Sequence, residues 1–263
     1  GSFWLLDSLK DTVFATIVGL EHQPRAKIVS VGFTLVIVFY YNRLLDTMQK
    51  TTLFYAIGFT YTVIFLLLAA ALNNDMIGMA NTEASPYRLL GWISYFAIES
   101  YGSLAVALFW AFTNATLDLD EAKSSYGLII AFAQLGAVLG STLATQAGRF
   151  GVAKLYGIGA LSCSTMALMV RGYVSFFSDH MPSKPAPPAR HSKEAVKKGD
   201  LASLWAGLQL ILRYDYVLLI LGISCLYEVV LTVLDYEMKV IGRARYGADQ
   251  VMHGNPLSEP PEP

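Results

Sequence analysis

The 263-residue chain is 54% hydrophobic and 15% charged, with a mean hydropathy of +0.46 and a formal net charge of −1. Its charges gather in short patches between long apolar runs, the profile of an all-α polytopic membrane protein. No dominant basic face, basic helix or zinc spacing supports nucleic-acid binding, and the two cysteines, Cys163 and Cys225, are too far apart in apolar runs to suggest a disulfide framework.

The requirement of about 20 apolar residues per crossing predicts about seven transmembrane helices. The chain opens almost at once on FWLLDSLKDTVFATIVGL, with no basic or Ser/Arg-rich leader ahead of it, and its first helix reads as entered partway. That first span, near 3–20, carries Asp7, Lys10 and Asp11 and is the least hydrophobic. Pro24, Arg25 and Lys27 are read as the short turn that closes it. A second span, near 28–45, ends in Tyr40, Tyr41 and Arg43, a combination suited to the membrane interface. A polar turn through Gln49 and Lys50 joins it to a third, near 52–72, so the two are expected to form an antiparallel hairpin.

Residues 73–87 read as a surface loop, and a fourth span follows near 88–117. Glu99 lies eleven residues beyond Arg88, roughly 16 Å along a helix, which places a carboxylate near mid-depth. An acid there costs about 2.5–3.5 kcal/mol on insertion scales, so it lines a cavity or meets a partner. At helical spacing Glu99, Gly102, Ser103, Val106, Trp110, Thr113 and Asn114 share a face of small and polar residues. The fifth span, near 126–146, repeats Gly136, Gly140, Ala144 and Gly148 four apart, a spacing that lets helix backbones approach closely. The sixth runs near 155–177.

These six helices form the first expected domain, residues 1–177. Residues 178–200, with PSKPAPPARHSK at the centre and five basic residues, read as an extended linker. Residues 201–247 combine an amphipathic surface stretch with a seventh span near 216–233 that carries Glu228, and 248–263 read as a disordered tail. The loops on the linker's side hold eight Lys/Arg against five on the other, which predicts a cytosolic or equivalent position for the linker.

With those residues in place, the chain resembles the ATP/ADP translocases, the nucleotide transporters of plastids and intracellular bacteria. The central match is GSLAVALFWAFTNATLDLDEAKSSYGLI, Gly102 to Ile129, which is similar to the family's fourth helix and following loop at Gly102, Ser103, Leu108, Phe109, Trp110, Phe112, Asn114, Asp120, Glu121, Ala122, Lys123 and Tyr126. LLDSLKDTVF, KTTLFYAI and YEVVLTVLDYEMKVIGRARY add matches in the family's order over most of the chain. The resemblance implies counter-exchange of ATP with ADP in a major-facilitator-like bundle of twelve helices, of which this chain corresponds to the first half plus the seventh helix. It also implies that the family's functional lysine falls on Lys10 and its functional glutamates on Glu99 and Glu228. A further family lysine lies in the second half, beyond Pro263, so a second half is expected from a longer product, another chain or a homodimer. The expected location is the plastid envelope, another organelle inner membrane or a bacterial inner membrane.

A polyanionic nucleotide needs cations such as Lys10 opposite its phosphates and an aromatic surface for its base, for which Trp110, Tyr101 and Tyr95 are candidates. Glu99 and Glu228 cannot bind phosphate, but they can pair with lysines and change partners when substrate arrives. Lys10, Glu99, Glu228, Asn114 and Trp110 are therefore the candidate substrate-binding residues. Lys10 has a purely structural alternative, a pair with Asp7 or with a glutamate on another helix. No G-x-x-x-x-G-K-[ST] segment supports a P-loop pump, and no triad or metal-ligand spacing supports an enzyme; neither cofactor nor metal is expected. The acids of DLDEAK read as a solvated turn or cap. The alternative function is a carrier-derived structural or accessory subunit of a larger membrane complex, without transport.

Overall fold

The computed structural model describes residues 1–48, 50–81, 83–117, 119–176, 209 and 211–252, and among them the regular structure is entirely helical. The helices are α1 Ser2–Ile17, α2 Gln23–Thr47, α3 Lys50–Leu72, α4 Leu89–Thr116, α5 Leu119–Ala144, the single turn α6 Ala147–Phe150, α7 Val152–Phe176 and α8 Asp215–Met252. The chain divides into two units, one holding α1 to α7 and the other α8.

Among the described residues, six segments are long and apolar enough to cross a membrane: Leu20–Leu44, Thr51–Leu72, Leu89–Asn114, Lys123–Ala144, Val152–Phe176 and Asp215–Gly242. The protein is thus an all-α polytopic membrane protein. The first of the seven expected spans falls short of this measure, because α1 has 16 residues, about 24 Å of helix against a hydrocarbon core of about 30 Å. Yet α1 is the centre of the bundle. Leu5, Leu6, Leu9, Val13, Phe14 and Ile17 are all buried, and the helix packs against α5, α4 and α7.

Close approach onto α1 depends on glycine. A Cβ on Gly140 would lie 2.3 Å from the Gly1 carbonyl oxygen and 3.0 Å from the Leu5 amide nitrogen, and one on Gly136 3.0 Å from the Gly1 nitrogen. The four-residue repeat of α5 is therefore a packing surface at Gly136 and Gly140, whereas Gly148, the last glycine of the expected repeat, falls beyond α5 in the turn α6 and faces open space. On α4, Gly102 makes room for the Phe3 ring, which a Cβ would meet at 2.2 Å.

The second and third spans pack differently from the expected hairpin. They follow each other across a short connection, but α2 lies mainly on α4, while α3 lies chiefly on α7 and secondarily on α4. The α3–α7 seam is tight where Gly58 meets Ala167, with a Cβ position 3.2 Å from the alanine methyl. Short connections make helices sequential neighbours; the packing partner is set by which faces carry small residues.

The connection from α1 to α2 also differs from the turn expected at Pro24. The break comes earlier, at Gly19, whose φ of 115° is a conformation that side chains disfavour. A 3-10 turn, Leu20–His22, follows, and Pro24 then sits in the first turn of α2, where its missing N–H costs nothing. Arg25 and Lys27 are helical residues as a result. The 73–87 loop is a surface connection as expected, gathered around Arg88, whose guanidinium donates to the carbonyls of Ile77, Gly78, Asn81 and Glu83.

In the other unit α8 runs to Met252, well past the expected end near Val233 and five residues into the stretch expected as tail. Asp235 and Lys239 pair along it. The expected linker, most of the amphipathic stretch and residues 253–263 lie outside the described residues.

Candidate functional site

Lys10 belongs to the apolar stripe of α1, between Leu6, Leu9, Val13 and Phe14, so its ammonium is carried into the bundle with only 6% of the residue exposed. A charge in such a place stands only if it is paired and hydrogen-bonded. Its Nζ donates to Asp7 Oδ1, three residues back, at 2.7 Å and to Glu99 Oε1 of α4 at 2.6 Å. It also lies 5.1 Å from the centre of the Tyr95 ring, one turn before Glu99 on α4.

Glu99 Oε1 accepts a second ammonium. Lys27 of α2 donates to the same oxygen at 3.1 Å, which joins α1, α2 and α4 through one atom. One helical turn earlier on α2, Gln23 is buried, and its amide donates to Asp11 Oδ1 at 2.9 Å while its carbonyl oxygen meets no partner among the described residues. Two buried hydroxyl contacts tie α4 to its other neighbours on either side of Glu99: Ser94 with Tyr156 of α7 at 2.7 Å, and Tyr61 of α3 donating to Ser100 at 2.8 Å.

The remaining expected residues lie elsewhere. Trp110 meets Tyr126 of α5 edge to face at 5.4 Å between ring centres, and the Tyr126 hydroxyl donates to Asn114 Oδ1. This group is eleven residues along α4 from Glu99, about 16 Å at the helical rise. The polar face read from the sequence thus covers a wide arc: Gly102 and Thr113 are buried, while Ser103, Val106 and Asn114 are exposed. Tyr101 packs among Tyr61 and Phe65 in the core. Glu228 lies on α8, in the other unit, and is exposed.

Sequence reasoning brought Lys10 and Glu99 forward but missed Lys27 and Gln23. Placing a turn at Pro24 hid them. With Pro24 taken as a helix start, Gln23, Ala26, Lys27 and Ser30 become one stripe turned inward, beside the exposed Ile28, Val29 and Val31.

A bundle of apolar helices that holds a carboxylate between two lysines is a polytopic membrane protein with charge in its interior, the kind of arrangement associated with substrate and ion pathways. The family model described as TLC ATP/ADP transporter matches residues 2–250, and the chain belongs to that family of nucleotide transporters. No curated protein and no solved structure matches the chain.

Proposed function

We propose that this chain is a secondary carrier that exchanges ATP for ADP across a membrane, with the Lys10–Glu99 pair at the centre of its substrate site. The observation that carries the reading is this pair itself, a buried ammonium held at 2.6 Å by a carboxylate from another helix. A polyphosphate offers oxyanions that compete with Glu99 for the lysines. Partner exchange of this kind ties substrate binding to the contacts that Glu99 of α4 makes with α1 and α2, which is what a carrier needs to bias its rocking motion. Trp110 and Asn114 are assigned to the base end of the nucleotide, and Glu228 to a coupling acid on α8. In two-repeat carriers the site lies between the halves, so the reading includes a second half from a longer product, another chain or a second copy. A plastid envelope, another organelle inner membrane or a bacterial inner membrane is the setting proposed, with the 178–200 linker on the cytosolic or equivalent side.

The test is uptake of labelled ATP by vesicles containing the protein, with and without ADP inside. Uptake that requires internal ADP and is competed by external ADP, but not by adenosine, is the expected result. Folded protein that shows none, even with its second half supplied, would favour the accessory-subunit reading.

A further inference from the structure

Within the nucleotide-carrier reading, on which this step rests, we propose that Lys27 is the residue that leaves Glu99 to bind the substrate's phosphates, while Lys10 stays in place as the fixed counter-charge.

The two lysines share one oxygen but differ in every other respect. Lys10 is 6% exposed and is held by two carboxylates and the face of Tyr95. Lys27 is 36% exposed, more open than Asp7, Glu99 or Lys10, and among the described residues its ammonium has the single, longer contact to Glu99. An ammonium has three donors, so Lys27 has donors to spare for a second oxyanion.

The consequences of departure differ too. If Lys10 left, Asp7 and Glu99 would both lose their near partner inside the bundle, the arrangement that buried charges tolerate least. If Lys27 left, Glu99 would keep Lys10 at 2.6 Å and stay compensated. Departure of Lys27 also separates two like charges held on one oxygen. Of the ion-paired groups Asp7, Lys10, Lys27 and Glu99 the most exposed is a cation, Lys27, so an approaching polyanion meets it first. Substrate binding therefore loosens α2 from α4 and leaves the α1–α4 link intact.

The experiment titrates the purified, detergent-solubilised full chain with ATP, inorganic tripolyphosphate and adenosine by calorimetry, comparing wild type with Lys27→Gln and Lys27→Arg. The expected result for Lys27→Gln is a loss of at least about tenfold in affinity for both ATP and tripolyphosphate, the scale of a lost charged hydrogen bond. Its melting temperature should match wild type, and Lys27→Arg should recover most of the affinity. Wild-type binding of ATP with an unchanged Kd in Lys27→Gln overturns this assignment and leaves the carrier reading standing. Absence of ATP and tripolyphosphate binding by the wild type, both alone and with its second half supplied, overturns the carrier reading and this assignment with it.

Discussion

Lys10 is the side chain on which most of the bundle's interior electrostatics converge. Replacing it with glutamine leaves Asp7 and Glu99 facing each other's charge without their shared donor, and the expected loss of stability is about 3–5 kcal/mol, typical for breaking a buried pair from one side. Adding Glu99→Gln should restore part of that loss, because the double variant has fewer uncompensated charges. A double-mutant cycle on unfolding in detergent measures this, and additive losses would show that the two groups do not stabilise each other. Both residues were legible in the sequence because a charge within an apolar run is conspicuous. Lys27 was not, since its meaning depends on whether Pro24 ends one helix or begins the next, and proline serves both purposes. Trp110 and Asn114 share a helical face with Glu99 in the sequence, but periodicity says nothing about which neighbour covers which part of a 28-residue helix. Tyr126 covers the far part.

Among the elements, α1 is the shortest of the long helices and the most enclosed, and α5 closes onto it through glycine. Gly140→Ala puts a methyl 2.3 Å from a backbone oxygen that cannot swing aside, so α5 must shift outward. The expected cost is about 1–3 kcal/mol, as for overpacking in a tight core. Gly157→Ala on α7, with nothing within 4 Å of the added Cβ, is the control and should be neutral or stabilising through helix propensity. Thermal unfolding of both variants in detergent decides it; equal melting temperatures would mean the α1–α5 seam is not close-packed. The α5 glycine repeat was readable in the sequence because small residues at four-residue spacing have one physical use in a membrane helix. The α2–α3 hairpin was misjudged for the opposite reason. Chain proximity was legible there, but the choice of α4 and α7 as packing partners rests on shape matches between helices far apart in sequence, which no local pattern encodes.

At the scale of the whole molecule, hydropathy located nearly every helix, because a bilayer imposes length and apolarity on each one separately. The charge cluster has a different origin. It exists only because α1, α2 and α4 converge on Glu99 Oε1, which lies 89 residues from Lys10 and 72 from Lys27. In the proposed reading the cluster is kept for transport, since an equally stable bundle could be built from apolar side chains alone. The measurement that bears most directly on this is ADP-dependent uptake of labelled ATP in vesicles, comparing wild type with Glu99→Gln and Lys10→Ala at matched levels of folded protein. Exchange by the wild type and at least about a tenfold fall in rate in both variants, on the scale of 1.4 kcal/mol or more, are expected. Exchange at the wild-type rate in either variant would contradict this reading, and the cluster would then be a structural device of the bundle.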